Sequence, residues 1–357
     1  MTSRPRPRRG RLVPDLTARP QLALPWKSLP MLRFLSRRVL GAIIILLLIS
    51  FVTYCLFFVL PADPARLACG KNCSNPDLVA AIHHRMGLDL PIYQQYWDYM
   101  KGIFVGRTMP DGQNCAAPCF GFSFANDTAI WPLLKDRYPT TFSLAVGGSA
   151  AFLIIGVSLG MLSAWQQGKA FDRVASSISL LGNSVQIYFI GPLAIALFAD
   201  NLGWLDHGHD PTWTSDPIGS LNGLVLPCLV MSVIFWSNYS RQTRSLMVEQ
   251  LAEDHIRTAR AKGMGSKYVF YRYALRGAAA SIITIFGIDL GSVFGGAIIT
   301  EYTFGLHGLG NLAVNAVGQR DLPLEMAVMI FSASAIVIFN IVVDAAYAII
   351  DPRIRLA

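Results

Sequence analysis

The sequence predicts an all-α, polytopic membrane protein with about six transmembrane helices. Hydrophobic residues make up 53% of the 357-residue chain, charged residues make up only 15%, and the mean hydropathy is +0.43. An ordinary soluble domain has roughly a quarter of its residues charged. The low charge and the long apolar segments therefore place most of this chain in lipid.

The net charge of +8 is compatible with a nucleic-acid partner, but membrane topology explains it better. Nucleic-acid binding domains combine a basic face with groove-reading or base-stacking motifs, and the sequence shows none. We therefore predict no nucleic-acid partner. The chain begins with a stretch rich in Pro and Arg, and because proline interrupts regular structure we predict a disordered, basic cytoplasmic tail at residues 1–30.

Six segments have the roughly 20 mostly apolar residues that a helix needs to cross the hydrocarbon core. The predicted spans are 39–60, 141–165, 174–198, 221–239, 278–300 and 326–350. The third and fourth contain Pro192 and Pro227, which membrane helices tolerate when neighbouring helices satisfy the freed carbonyl groups. The fifth and sixth each hold one acidic residue, Asp289 and Asp344.

The distribution of positive charge predicts the orientation. Most of the 30 Lys and Arg residues lie on the side of the spans where the N-terminus lies, and positively charged flanks stay in the cytoplasm. We therefore predict a cell membrane (inner or plasma) protein with both termini cytoplasmic. Its predicted parts are a first transmembrane helix at 31–60, an extracytoplasmic cap or loop subdomain at 61–138, and a core of five transmembrane helices at 139–357 with a cytoplasmic loop at 241–277.

The predicted cap is too long for a simple connection, so we expect it to be ordered. It contains four of the six cysteines, Cys69, Cys73, Cys115 and Cys119. On an oxidising side of the membrane these four are candidates for one or two disulfides. A metal site built from the four thiolates is the alternative, but the compartment and the spacing within each pair favour disulfides, and we predict no metal.

Active transport by such a bundle would require a source of energy, and the sequence shows no nucleotide site. The nearest stretch, Gly263-Met264-Gly265-Ser266-Lys267, has the wrong spacing for a phosphate-binding loop. We therefore predict no catalytic residues, no enzymatic activity and no cofactor bound by this chain.

The acidic residues inside the spans need a separate account, because a charge is costly in hydrocarbon. Asp289 is followed by Gly291 and Gly295, small residues that let another helix approach closely. These three residues are candidates for facing a polar lumen or a partner subunit, and local hydrogen bonding of Asp289 is the alternative. For Asp344, the interpretation is a structural ion pair or a hydrated helix end.

The loop at 241–277 is the only long connection on the predicted cytoplasmic side. Residues 249–262 carry apolar residues at helical spacing, with acidic residues early and basic residues late, which suits the helix dipole. Gly263 is predicted to end this helix, and 268–275 to form a second amphipathic helix. The pattern indicates a docking surface for another protein, or a basic helix lying on anionic headgroups.

This loop resembles the coupling motif of ABC-importer permeases, which is Glu-Ala-Ala, three residues and then Gly. The second alanine and the glycine match Ala259 and Gly263. Arg257 and Thr258 replace the glutamate and the first alanine, and Arg276 replaces a terminal proline.

Further motifs are similar to those of the oligopeptide/dipeptide branch of these permeases, in its first permease type. They are Arg37-Arg38-Val39, Pro61-Ala62-Asp63-Pro64, Gly87-Leu88-Asp89 with Pro91, Gly305-Leu306-His307-Gly308-Leu309-Gly310, Arg320-Asp321-Leu322-Pro323 and Asp351-Pro352-Arg353-Ile354-Arg355. The resemblance runs from residue 31 to 356. The basic tail and the stretch at 109–122 depart from it.

The resemblance implies a type I ABC importer permease fold. It implies pairing with a second, homologous permease subunit, two ABC ATPase subunits that bind ATP and Mg, and an extracytoplasmic substrate-binding protein that delivers short peptides. Coupling to the ATPase is then assigned to Glu253, Asp254, Arg257, Thr258, Ala259, Arg260, Ala261, Lys262 and Gly263.

Two other functions remain open from the sequence. One is an ion-coupled secondary transporter that uses Asp289 and Asp344, which predicts transport by the isolated chain. The other is a membrane scaffold without a transport role. A co-purifying partner with a nucleotide-binding loop would favour the importer over both.

Overall fold

The computed structural model describes residues 29–60, 63–69, 76–109 and 112–350. The predicted tail therefore lies almost wholly outside the described residues, and so do Cys73 and the motif at 351–355. Within the described part, the chain is helical apart from its connections and one short β-hairpin. This agrees with the all-α prediction.

Helix α1 (Leu29–Tyr54) continues into a π-helical turn at Cys55–Val59. Its main helix partner is α13, and most of its apolar side chains remain exposed on the chain, including Leu40 and Leu48. Exposed apolar side chains on a spanning helix suit contact with lipid, so α1 lies at the edge of the bundle.

The segment after α1 forms an ordered unit, which we call the cap subdomain (63–69, 76–109 and 112–129). It contains three helices and an antiparallel hairpin, namely α2 (Pro64–Cys69), α3 (Pro76–Arg85), α4 (Ile92–Val105), β1 (Arg107–Thr108) and β2 (Asn114–Cys115).

The cap subdomain is joined to the helical bundle by an apolar cluster and by a buried hydrogen bond. The cluster includes Tyr99 and Phe120 of the cap together with Leu134 and Met326 of the bundle. Ser123 Oγ donates to a carboxylate oxygen of Asp321 at 2.5 Å, and both side chains are buried. The cap therefore packs as part of the bundle rather than as a loose loop.

Helices α5 (Ile130–Trp165) and α8 (Pro217–Ala252) form the closest packed pair in the bundle, and each is 36 residues long. Glycine makes this approach possible, because a Cβ atom at Gly160 would lie 2.6 Å from both Ser240 O and Thr243 Cβ. Small residues at helix contacts have this effect in membranes.

The span predicted at 174–198 is not one straight helix. Helix α6 (Ala170–Ser184) and helix α7 (Ile187–Ala194), which continues into a π-helical turn at Ile195–Asn201, are bent by 105°. The bend comes from Val185 and Gln186, which both have extended backbone angles. Pro192, which the sequence marked as the interruption, lies inside α7 beyond the bend.

The remaining elements complete the bundle. They are α9 (Asp254–Ala261), α10 (Ser266–Val269), a π-helical turn (Phe270–Ala274), α11 (Leu275–Phe304), α12 (Leu309–Gln319) and α13 (Leu322–Ile350). The second helix predicted at 268–275 is present but longer than predicted, because α10, the π-helical turn and α11 form one continuous helix from Ser266. Among the described residues, five helices are long and apolar enough to span, or six if the bent pair is one span, in agreement with the predicted number.

The core of the bundle lies between α5, α8 and α11. Its buried apolar residues include Phe152 of α5, Met231 and Met247 of α8, and Val293 and Ala297 of α11. The core thus extends along the whole packed length of α8 to the connection that carries the predicted coupling residues.

Candidate coupling site

The predicted helix at 249–262 is two helices rather than one. Helix α8 ends at Ala252, Glu253 takes extended backbone angles (φ −65°, ψ 150°), and α9 begins at Asp254. Arg257 N–H then donates to Glu253 O at 3.2 Å, which starts the new helix. The break lets α9 leave the axis of α8 and lie as a separate short element.

Helix α9 ends in a Schellman motif centred on Gly263. The N–H of Gly263 donates to Arg260 O at 2.9 Å, and the N–H of Met264 donates to Ala259 O at 3.3 Å. Gly263 has φ +80°, the left-handed conformation that glycine adopts without strain. The predicted helix end at Gly263 is therefore confirmed.

Two apolar side chains fix α9 to the bundle. Ile256 is fully buried and Ala259 is 4% exposed, and both belong to the main core cluster with Met247, Val269 and Phe270. The spacing of three places both residues on one face of the short helix. The position of α9 therefore follows the position of the core beneath it.

The opposite face of α9 is polar and exposed. It consists of Glu253, Asp254, Arg257, Thr258, Arg260, Ala261, Lys262 and Gly263. Arg257 and Asp254 form an ion pair at 3.4 Å, but their side chains are 74% and 94% exposed. Such an exposed pair contributes about 0–1 kcal/mol, so these charges can exchange partners with a docking protein at little cost.

Of the predicted lumen or partner-facing residues, Asp289 and Gly291 contact the chain itself. Tyr239 of α8 donates a hydrogen bond to Asp289 at 3.1 Å. A Cβ atom at Gly291 would be 3.6 Å from Ile336 of α13, whereas one at Gly295 would meet nothing within 4 Å. Gly295 is exposed, and its contact with a lumen or partner stays a prediction. The side chain of Asp344 lies outside the described residues.

The cysteines agree with the disulfide prediction where the structure describes them. Cys115 and Cys119 form a disulfide that closes the β2 end of the hairpin. Cys73 and the side chain of Cys69 lie outside the described residues, so the pairing of these two stays a prediction. Cys55 and Cys228 are free. In the part of the chain that the structure describes, no group of three or more metal-ligating side chains is present.

Two buried carboxylates were missed by the sequence analysis. Asp172, at the start of α6, is buried and bonded to Arg244 of α8. Glu301, near the end of α11, accepts hydrogen bonds from the N–H groups of Gly310 and Asn311 at 2.7 and 3.1 Å, and so caps α12. A signal for Glu301 was present, since Gly310 belongs to a motif already noted.

The bundle of spanning helices, with a polar helix exposed between two of the spans, defines a multi-pass membrane protein. The chain belongs to the family of binding-protein-dependent transport system inner membrane components, whose model matches residues 156–356. The N-terminal model of the same transport systems matches residues 31–145. The fold is that of a type I ABC importer permease, a class that works with other components of an ABC transporter.

Curated relatives match along most of the chain. The di/tripeptide transport system permease protein DppB of Pseudomonas aeruginosa is 32% identical over 346 residues, which cover 91% of this chain and 99% of the relative. The dipeptide transport system permease protein DppB of Alkalihalophilus pseudofirmus is 32% identical over 345 residues, with 91% and 100% covered. The glutathione transport system permease protein GsiC of Salmonella choleraesuis is 31% identical over 325 residues, with 91% and 99% covered.

Proposed function

We propose that this chain is one of two permease subunits of an ATP-driven importer for short peptides, and that α9 is its contact with a cytosolic ATPase. The single observation that carries the proposal is the construction of α9. A helix of eight residues is fixed to the core by Ile256 and Ala259, and exposes a polar face beside a glycine turn. The sequence contains no nucleotide-binding loop. The energy for transport is therefore supplied by a partner ATPase that binds the polar face of α9.

The class of substrate is proposed from the relatives. Their names specify di/tripeptides, dipeptides and glutathione, which share the chemistry of a short peptide. The proposed cargo of this chain is therefore a peptide of a few residues. A binding protein outside the cell delivers it, and a second, homologous permease completes the pathway.

The proposed orientation has α9 and both termini in the cytosol and the cap subdomain outside. The bias of Lys and Arg supports this orientation. The disulfide between Cys115 and Cys119 in the cap supports it as well, because disulfides persist in oxidising compartments.

In the proposed mechanism, closure of two ATP-bound ATPase subunits displaces α9. The displacement is carried into the bundle through Ile256 and Ala259, which pack against Met247 of α8 and Phe270 before α11. Movement of α8 against α11 then switches the pathway between inward-facing and outward-facing states, as a rigid-body transition biased by ATP and by the loaded binding protein. ATP and Mg stay in the ATPases.

The experiment is to purify the complex that this chain forms and to measure ATP hydrolysis with and without peptide-loaded binding protein. We expect a co-purifying ATPase with a nucleotide-binding loop and stimulation of hydrolysis by the loaded binding protein. Gly263→Pro removes the N–H that donates to Arg260 O and forbids φ +80°, so it should abolish the stimulation while membrane insertion is kept.

Two results would contradict the proposal. One is transport of solute by the isolated chain under an ion gradient, which is the behaviour of a secondary transporter. The other is normal stimulation of hydrolysis in the Gly263→Pro variant, since α9 would then not be the coupling element.

A further inference from the structure

The cap subdomain encloses a cavity that lies apart from α9 and from the core between α5, α8 and α11. Its volume is about 440 Å³, and it lies between the end of α1, helix α4, the hairpin and the start of α13. Leu90 and Lys101 line it and are exposed, so the cavity is open to the surface.

Arg107 is the central polar residue of this cavity. Helix α4 ends at Gly106, whose φ of +80° reverses the chain and returns Arg107 over the helix. The stem of Arg107 lies against Gly102, and its guanidinium stands over the ring of Tyr99, with Cζ 5.3 Å from the ring centroid. The guanidinium is therefore held in place before any ligand arrives.

Two polar atoms at this point are buried without a partner. The Nε of Arg107 and the hydroxyl of Tyr99 have no hydrogen-bond partner, and Tyr99 is only 4% exposed. Among the described residues, no carboxylate forms an ion pair with Arg107. Burial lowers the pKa of the Arg107 guanidinium and raises the pKa of the Tyr99 hydroxyl well above its usual range.

A partly buried guanidinium without a directly paired anion is costly, because desolvation is repaid only by a paired charge and by complete hydrogen bonding, and Asp98 acts on Arg107 only through space. The ring of Tyr99 supplies part of the compensation as a cation–π contact. The Nε of Arg107 has no acceptor among the described residues. An anion in the cavity would supply the missing counter-charge to Arg107, and it would reach the Tyr99 hydroxyl after a small shift of the side chains that cover that atom.

The walls of the cavity indicate what kind of anion fits. They are largely apolar and aromatic, and include Phe58, Phe120, Phe122 and Met326. Pockets of this composition bind ligands with an apolar body and use few polar groups for orientation. Asp98 also lines the cavity and disfavours a multiply charged anion, whereas an Arg fork matches the two oxygens of a single carboxylate.

We propose that this cavity is a binding site for a carboxylate attached to an apolar or aromatic body, with Arg107 and Tyr99 as the groups that bind the carboxylate. The site is held by the hairpin, since Arg107 in β1 pairs with Cys115 in β2, and Cys115 is bonded to Cys119. It belongs to the cap and not to the coupling machinery, so it does not depend on the function proposed above.

The test uses the full chain in phosphatidylcholine nanodiscs and a matched pair of probes. The first is N-acetyl-para-fluorophenylalanine, and the second is its primary amide, which keeps the body but is neutral and carries an NH2 group in place of one carboxylate oxygen. Fluorine NMR of each probe gives its dissociation constant. We expect the amide to bind about tenfold more weakly or worse, because the charge-assisted pair with Arg107 is lost.

Variants then assign the effect to the two residues. Arg107→Met should remove the preference for the acid, and Tyr99→Phe should weaken binding of the acid by a smaller factor of about three, because it removes one neutral hydrogen bond. Lys135→Met is the matched control, since it removes an exposed cation of α5 that does not line the cavity and should leave the preference intact. Thermal unfolding of each variant in the same nanodiscs, compared with the wild-type chain, checks that it keeps its fold.

Equal binding of the acid and the amide to the wild-type chain would overturn the proposal, and so would an unchanged preference in Arg107→Met. Loss of binding of both probes, the neutral amide included, when phosphatidylglycerol replaces part of the lipid would overturn the commitment to a carboxylate and identify a lipid phosphate as the occupant, because repulsion by the anionic membrane acts on the acid alone. If Arg107→Met does not fold, the comparison of the two probes on the wild-type chain and on Tyr99→Phe still decides the question.

Discussion

Arg244 of α8 donates two hydrogen bonds to the carboxylate of Asp172 in α6, from Nε at 2.5 Å and from Nη2 at 2.7 Å. Ser163 Oγ and the N–H of Gly168, at 2.9 Å, donate to the same carboxylate. The side chain of Asp172 is 5% exposed and that of Arg244 is 32% exposed. The contact therefore joins the end of α5, the start of α6 and α8 at one point.

The unequal burial of this pair predicts unequal costs of mutation. Arg244→Met leaves a buried carboxylate without its cation, and we expect a loss of about 3 kcal/mol in the free energy of unfolding. Asp172→Asn should cost less, because the amide oxygen still accepts hydrogen bonds and the freed Arg head can turn to water. Thermal unfolding in detergent measures both.

The control for this pair is Arg257→Met. Arg257 pairs with Asp254, but both side chains are highly exposed, so we expect a change of no more than about 0.5 kcal/mol. Equal destabilisation by Arg244→Met and Asp172→Asn would contradict the argument from burial.

Two neighbouring glycines provide a prediction on backbone conformation alone. A Cβ atom at Gly263 or at Gly265 would meet nothing within 4 Å, but Gly263 has φ +80° and Gly265 has φ −62°. Gly263→Ala should therefore cost about 1 kcal/mol from left-handed strain, and Gly265→Ala should be neutral or stabilising. Thermal unfolding of the two variants gives the comparison, and a cost at Gly265 equal to that at Gly263 would rule out the conformational explanation.

Substitutions at Ala259 and Ala261 test separately how α9 packs on the bundle and how it binds the ATPase. Ala259 is buried against the core, whereas Ala261 is exposed on the polar face. Ala259→Leu should overpack the contact by about 1–3 kcal/mol and displace α9. Ala261→Leu should leave the stability unchanged and weaken only the binding of the ATPase.

Co-purification of the ATPase and thermal unfolding, measured on both variants, distinguish these effects. If Ala261→Leu retains full ATPase binding and full coupled hydrolysis, the polar face of α9 is not the docking surface.

The hydrogen bond between Tyr239 and Asp289 provides a test that distinguishes an ATP-driven importer from an ion-coupled carrier. Asn can accept the hydrogen bond of Tyr239 in place of Asp289, so Asp289→Asn should retain at least about half of peptide-stimulated transport. Tyr239→Phe is the matched variant, because it removes the donor and keeps the carboxylate. An ion-coupled carrier predicts the opposite result. Transport would be abolished by Asp289→Asn, which removes the carboxylate, and retained by Tyr239→Phe, which keeps it.

The cysteines predict a labelling pattern for the unreduced protein. Cys115 and Cys119 should resist alkylation, whereas Cys55 and Cys228 should react once the protein is unfolded. We also predict that Cys69 and Cys73 resist alkylation as a second pair. Mass spectrometry of the alkylated peptides measures the pattern, and a free thiol at Cys115 would contradict the structure of the hairpin.

Hydropathy and glycine placement predicted much of this fold. The number of spans follows from the length of the apolar segments, and the end of α9 follows from Gly263, because only glycine suits that conformation without strain. The break at Glu253 could not be predicted. The helical pattern continues across it without Gly or Pro, and the burial of Ile256 and Ala259 decides the local conformation.

The bend between α6 and α7 and the position of Arg107 in the cap subdomain also could not be predicted from the sequence. Val185 and Gln186 carry no sequence signal for a bend of 105°. Arg107 is one of 30 basic residues, and nothing in its neighbours marks it as buried. Its environment depends on Gly106, which reverses the chain, and on a hairpin whose register only the structure gives. Tertiary contacts, rather than local propensity, made these features.

The length of α8 also determines how far α9 stands from the lipid. Its 36 residues correspond to a contour of about 54 Å at 1.5 Å per residue, against a hydrocarbon core of about 30 Å. A helix of that length extends several turns beyond the hydrocarbon core that it crosses. The short helix at its end, fixed to the bundle by Ile256 and Ala259, is thus placed outside the hydrocarbon core, where a large soluble protein can reach its polar face.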